Sequence, residues 1–245
     1  MTRHARIVDE LGRLIVSGAL GTERPIVPEE LGRRFSASRT VVREALRVLE
    51  SKGMVTARPR VGTWTRPPEH WDAIDPDVIA WRVAGPDRPR HLADLYELRL
   101  AIEPQAARMA AWHRRPDELA VLVATYGLMA DAADLRAFQE ADSAFHAALL
   151  RASGNPLIAQ LHVPVVAALE EVPGDDVLAA HSLVVAMVLG KDADGAESAS
   201  RRLLETVVPP LDHACRPSDH ACRPSSHACR PSGHAGPACG IGELA

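Results

Sequence analysis

A mainly α-helical fold, interrupted near its N-terminus by one short β-hairpin, is predicted for this chain of 245 residues. Three observations predict it. Apolar residues recur at three- and four-residue spacing in segments spread from residue 6 to residue 208, which marks helices with one buried face. Strand-like runs bounded by Gly and Pro are confined to residues 54–66. The length exceeds the ~100–150 residues of a typical single domain. Charge is also unevenly divided: residues 1–66 carry thirteen Lys and Arg against seven Asp and Glu, although the whole chain has a net charge of -4. That split predicts one domain for nucleic acid and a second with another task.

Taken in order, residues 6–16 form an apolar-periodic helix, and residues 28–35 a short second one with Pro28 at its start, where a helix tolerates proline best. Ser38 then caps a third helix, with Val42, Ala45, Leu46 and Leu49 on one face and Arg39, Thr40, Arg43 and Arg47 on another. Arg39 and Thr40 lie in its first turn. Free backbone N–H groups and the helix dipole favour an anion there, so this end suits a phosphate backbone and base edges. Gly53 closes the helix. Residues 54–58 and 62–66 read as two short strands whose turn, around Pro59 and Arg60, makes a basic wing tip. Alone, an Arg-rich helix is as readily a solvated basic face. Three helices and a wing make a winged helix-turn-helix. The candidate DNA-binding residues are Arg33, Arg39, Thr40, Arg43, Arg60 and Gly62, in a domain spanning residues 1–66.

The strings IVSGAL, PEELGRRF, SASRTVVREALRVLESKGMV and RVGTW resemble the N-terminal domain of the GntR family of bacterial regulators. One departure is GTERPIV at residues 21–27, where that family has a Pro-Gly turn followed by Leu. It affects a turn rather than the reading helix.

Arg66-Pro67-Pro68 stops the second strand, and residues 67–90, rich in Pro, Asp and Trp, read as a packed linker. Beyond it, residues 91–114, 116–130, 135–153, 155–171, 176–190 and 193–208 carry helical periodicity, predicting an all-α helical bundle over residues 91–211. Size and helix order resemble the FCD effector domain, which defines the FadR branch of the GntR family. Within that branch, WDAIDPDVIAW and ELRLAIEPQAARMAA are most like the galactonate-responsive repressors.

Asp142 and His146 stand four residues apart on the helix whose apolar arc is Phe138, Phe145 and Leu149, so both project into the bundle. His181 lies centrally among Val177, Val184, Val185 and Val188 on a later helix. A single buried histidine is ordinarily a hydrogen-bonded core residue. An aspartate and two histidines converging from two helices can instead share a divalent metal such as Zn²⁺, Ni²⁺ or Mn²⁺. ADSAFHAALLRASGNPLI resembles the FCD pattern D-x-x-x-H…G-N-x-x-L, whose Asp and His are ligands in that family, and His181 matches a further ligand. Where the family often adds another His, this sequence has Leu203, so the resemblance implies a three-ligand site. A metal-free polar pocket is the alternative.

Arg99 and Glu103 share the inward face of residues 91–114. They read either as a helical ion pair, worth only about 0.2–0.5 kcal/mol, or as effector-binding residues, with the Arg99 fork gripping a ligand carboxylate. Pro104 is expected to kink this helix and make room for the pocket. Together the residues point to a small carboxylate effector, a sugar acid or hydroxy acid, in a homodimeric repressor of a catabolic operon that binds operator DNA. Lactate, a fatty acyl compound or an amino acid would also suit one Arg and one metal.

A metal-dependent enzyme is the other class of function, since Asp and His around a metal can activate water. No nucleophile elbow, phosphate loop or HExxH string accompanies the site, and that reading leaves the winged helix without a role. No N-terminal apolar segment is long enough for a signal peptide or a membrane span, which predicts a cytoplasmic protein without membrane partners. From residue 212 the chain turns to the repeats HACRPSD, HACRPSS and HACRPSG, which hold all four cysteines with Cys239. Such density of His and Cys can bind soft metals. The near absence of apolar residues, and a seven-residue period unlike zinc-finger spacing, favour disorder with reduced thiols.

Overall fold

The computed structural model describes residues 2–20, 24–58, 61–113, 115–169 and 173–206. Arg60 and the repeats from His213 onward, both singled out in the sequence, lie outside the described residues.

Helices α1 (Arg3–Val16), α2 (Pro28–Arg34) and α3 (Arg39–Ser51) precede an antiparallel hairpin of β1 (Val55–Arg58) and β2 (Gly62–Thr65), in register Val55 with Thr65 and Arg58 with Gly62. Thr2 Oγ1 caps α1 and Ser38 Oγ caps α3 by accepting from Ala5 N and Val41 N. Between α2 and α3 the chain turns through Ser36 at φ 49°, a left-handed conformation that few non-glycine residues adopt. Ile26 adds an isolated bridge to Thr63, tying the segment before α2 to the wing. Leu11, Val42, Ala45, Leu49 and Met54 are fully buried at the centre of this N-terminal core. These are the expected apolar faces of α1 and α3.

The segment read as a linker contains its own helix, α4 (Pro76–Val83), whose Val78 and Trp81 join the N-terminal core. Asp75 caps it through Asp77 N and Val78 N, and Pro76 fixes its first turn. Trp81 lies on Gly12 of α1, where a Cβ would come within 2.5 Å of the indole. Its Nε1 donates to Asp9 Oδ1 at 2.8 Å. At the far end of the reading helix, Lys52 Nζ lies 2.7 Å from Asp75 and 2.9 Å from Asp77. Gly53, at φ +74°, is required there, because a Cβ would stand 2.2 Å from His70 O.

The bundle comprises α5 (Arg88–His113), α6 (Pro116–Ala130), α7 (Leu135–Ala152), α8 (Pro156–Gln160), α9 (His162–Val166), α10 (Asp175–Gly190) and α11 (Ala193–Thr206). Phe138, Phe145, Leu122, Leu149, Val184, Val188 and Leu203 fill its core. Helix α5 runs unbroken through Pro104. The single helix expected over residues 155–171 is two short ones, α8 and α9. Pro164 has no N–H and its ring crowds the carbonyl of Gln160, where α8 ends. Among the described residues, no helix is long and apolar enough to cross a membrane.

Candidate functional site

Between α3 and the hairpin runs a cleft of about 660 Å³, lined by Arg39, Arg43, Arg47, Arg58, Gly62 and Thr63 among others. The buried stripe of α3 turns its arginines outward; of the first-turn amides, which have no partner within the helix, the Ser38 cap engages that of Val41. Glu50 Oε1 accepts from Ala57 N at 2.8 Å, fastening the wing to the reading helix. Arg39 pairs with Glu29 and Arg47 with Glu44, both at 2.7 Å and both well exposed, so a phosphate can displace either carboxylate at little cost. Thr40 and Arg33 are exposed but do not line the cleft. Arg58 does, and alternation along β1 was the signal that could have found it.

The second site lies inside the bundle. Helix α5 contributes Arg99 and Glu103, α7 contributes Asp142 and His146, and α10 contributes His181, all at most 1% exposed. The structure thus brings together the five residues singled out in the sequence. Arg99 Nε donates to Glu103 Oε1 at 2.7 Å, and His146 Nδ1 donates to Glu103 Oε2. Both oxygens of Glu103 are therefore engaged by protein. Arg99 Nη2 also approaches His146 Nε2, at 3.2 Å.

His181 Nδ1 donates to Val177 O at 2.8 Å, which turns Nε2 toward Asp142 Oδ1 at 3.1 Å and His146 Nε2 at 3.4 Å. His146 Nε2 is 3.4 Å from the same carboxylate oxygen. Phe145 lies edge-on to both rings and fixes their planes. Among the described residues, Asp142, His146 and His181 are the one group of three such side chains whose ligand atoms lie close enough to hold a metal.

Electrostatics follow from this packing. Burial pushes the Glu103 carboxyl upward, but Arg99 and His146 outweigh it and hold the group at about 2. For His146 burial works against the charge, yet Glu103 and Asp142 prevail over burial and Arg99 and lift it to about 10. Without a metal, the cluster is a set of mutually neutralising charges.

The donor set suits a cation. With Nδ1 of His181 committed to a carbonyl, its Nε2 presents a lone pair to a carboxylate oxygen, and two such acceptors converge stably only on a proton or a metal. Imidazole and carboxylate are ligands for Zn²⁺, Ni²⁺ and Mn²⁺. Leu203 is fully buried in the apolar core and offers no ligand.

Comparison with known proteins identifies both halves. Residues 3–64 match the model of bacterial regulatory proteins of the gntR family, and residues 94–206 match the FCD domain. The galactonate operon transcriptional repressor of Escherichia coli K12 is 30% identical over 211 residues, covering 81% of this chain and 92% of that protein. The chain belongs to the GntR family. This GntR regulator is also 31% identical to the HTH-type regulator YieP of the same organism, over 72% of this chain and 81% of the relative. Among solved structures, Lar, described as controlling the Listeria monocytogenes agr system and mediating virulence, shares the fold. Its TM-score is 0.56 at 18% identity, over 84% of this chain and 94% of its own. As a GntR protein with an FCD domain, the chain is a DNA-binding transcription regulator of the FadR type. The enzyme alternative falls with that membership.

Proposed function

We propose that this GntR regulator is a homodimeric repressor of a catabolic operon, controlled by a sugar acid or related hydroxy acid bound in the bundle. The observation that carries it is the buried cluster of Arg99, Glu103, Asp142, His146 and His181, which has no counterpart in an ordinary apolar core. The sequence kinship with a galactonate operon repressor supports the substrate class. In this reading residues 1–66 bind operator DNA, residues 67–90 connect, and residues 91–211 bind effector. Arg33, Arg39, Thr40, Arg43, Arg60 and Gly62 remain the proposed DNA contacts, joined by Arg58 and Arg47 from the cleft.

Asp142, His146 and His181 would hold a divalent metal, which when bound supplies a Lewis acid that a carboxylate and its neighbouring hydroxyl can chelate. Arg99 grips the ligand carboxylate. Glu103, whose two oxygens face Arg99 and His146, orients both side chains and shares the effector site without being its anion contact.

An effector alters DNA affinity only if it binds the competent and incompetent arrangements unequally. Helix α4 is placed to express that difference. It rests on α1 through Trp81, its cap Asp75 grips Lys52 at the end of the reading helix, and Arg82 faces Asp94 of α5 at 3.9 Å.

The test is a thermal-shift screen of sugar acids and hydroxy acids with and without Mn²⁺, Ni²⁺ or Zn²⁺, with lactate and amino acids as the competing class. An acid at a hundred times its Kd should stabilise the protein by about 2.7 kcal/mol. Arg99→Lys, which keeps the charge facing Glu103 but loses the fork, should still bind operator and lose that response. No stabilisation by any acid with any metal would refute the reading, and an unchanged response in Arg99→Lys would refute the role of Arg99.

A further inference from the structure

Hydroxyls buried along the bundle helices are ordinarily satisfied by their own helix. Thr125 Oγ1 of α6 donates to Leu122 O at 2.9 Å, and Ser153 Oγ at the end of α7 donates to Leu150 O at 2.6 Å. Ser200 of α11 differs. It is 0% exposed, yet its Oγ has no hydrogen-bond partner among the described residues. A buried polar atom left in that state costs stability. Alanine, which fills the neighbouring buried positions 196 and 199, would avoid the cost and suit a helix better.

The place of Ser200 in the bundle supplies a reason for the serine. Helices α5 and α11 pack along each other in antiparallel sense. Tyr96 Oη donates to Leu204 O at one end, at 3.0 Å, and Arg108 Nη1 donates to Glu197 Oε2 at the other, also at 3.0 Å. Ser200 is midway between Glu197 and Leu204, and the midpoint from Tyr96 to Arg108 falls beside Glu103. Around α11, Ala196 and Leu203 lie in the central core, whereas Glu197 and Leu204 meet α5. At 3.6 residues per turn Ser200 stands about 60° from Leu203, between those two directions. Its hydroxyl is therefore level with Glu103, on the seam through which α5 brings Arg99 and Glu103 into the bundle.

We infer that Ser200 is a specificity-determining residue of the effector site, which hydrogen-bonds a hydroxyl beyond the carbon next to the carboxylate and so selects polyhydroxy acids over short hydroxy acids. The inference rests on the proposed function and narrows its ligand class. In that reading Arg99 and the metal take the carboxylate and its neighbouring hydroxyl, which leaves Ser200 for a later carbon of the ligand. A sugar acid has a hydroxyl to offer there. Lactate ends in a methyl and would leave Ser200 buried and unpaired, and a site built around a hydrogen bond rejects a ligand that lacks the partner.

Calorimetric titration of the full chain tests this, in the presence of Mn²⁺, Ni²⁺ or Zn²⁺, with galactonate, gluconate and threonate as polyhydroxy acids and lactate and glycolate as short ones. Wild type should bind at least one polyhydroxy acid ~10-fold or more tighter than either short acid. Ser200→Ala, and the nearly isosteric Ser200→Cys with its poor donor, should each weaken that acid roughly tenfold and leave lactate within about twofold. Without ligand, Ser200→Ala should melt roughly 2–4 °C above wild type, because an unpaired polar group has gone. A serine kept for packing would instead make that variant melt lower. A lower midpoint in Ser200→Ala, polyhydroxy acids bound by both variants within about twofold of wild type, or lactate weakened to the same degree would each overturn the role of Ser200 while the acid-binding site stands. So would a wild type that prefers the short acids. Failure of every acid to bind wild type with any of the metals would overturn both readings.

Discussion

Replacing Gly12 with alanine sets two physical effects against each other. Helix propensity alone predicts a gain of about 1 kcal/mol, because glycine inside a helix is the weaker residue. Sterically the new Cβ would stand 2.5 Å from three carbons of the Trp81 indole, closer than carbon atoms pack. If Trp81 were expelled completely, some 150–250 Å² of aromatic surface would be lost, on the order of 4–6 kcal/mol, together with the Nε1 hydrogen bond to Asp9. Small shifts of Trp81 and α4 relieve the clash before that limit is reached, so the overpacking range of about 1–3 kcal/mol is the better measure. Repulsion therefore outweighs propensity. A 2.5 Å contact takes the upper part of that range, leaving a net loss of about 1–2 kcal/mol, so for a chain of this length the midpoint should fall by roughly 2–8 °C, read by calorimetry or tryptophan fluorescence. Operator binding by Gly12→Ala should also respond less to effector, since α4 no longer rests on α1. A variant as stable as wild type or more so would refute the packing of Trp81 on Gly12.

Arg43→Ala should lower operator affinity by about 1–3 kcal/mol if Arg43 meets a base, or reduce the salt slope by about 1 if it meets a phosphate; fluorescence anisotropy at several salt concentrations separates these, and no change in either contradicts its place in the interface. Burial pushes the Lys52 pKa down, but Asp75 and Asp77 outweigh it and raise it above 10.5. A raised base stabilises fully below its unfolded value and loses that contribution as pH climbs through the folded one. The stability gap between wild type and Lys52→Met should hold from pH 7 to pH ~9.5 and shrink above pH ~10.5; a gap that widened in alkali would contradict the clamp. Glu103→Gln should weaken Mn²⁺ binding ~10–100-fold by calorimetry, because His146 loses the carboxylate that orients it. Affinity within twofold of wild type in the folded variant would exclude that orienting role.

What the sequence made legible was periodic or capped. Ser38 followed by Val42, Ala45, Leu46 and Leu49 fixes both the start and the buried face of α3, and the structure places all four inside. Helix α4 carries the start signal Asp75-Pro76 but only eight residues, too few for a periodic stripe, and its anchor is one tryptophan meeting one glycine 69 positions away. Pro164 was readable as a breaker, yet the apolar run around it masked the split into α8 and α9. In the bundle, inward pointing of Arg99, Asp142, His146 and His181 follows from helical spacing. That Glu103 reaches His146 does not, because those residues are 43 positions apart on different helices and only their packing decides the contact.

The clamp at Lys52 gives the reading helix a pivot. Helix α3 has 13 residues and is about 20 Å long, with Lys52 at one end and Arg39 at the other. A tilt of only ~5° about the clamped end would carry Arg39 sideways by about 1.7 Å over that length. Hydrogen bonds to a base or phosphate tolerate a few tenths of an ångström before they weaken. In the proposed switch helix α4 would therefore work with mechanical gain: a rotation at the Asp75 clamp too small to disturb a packed core would be large enough, at the far end of the arm, to move arginine out of reach of DNA.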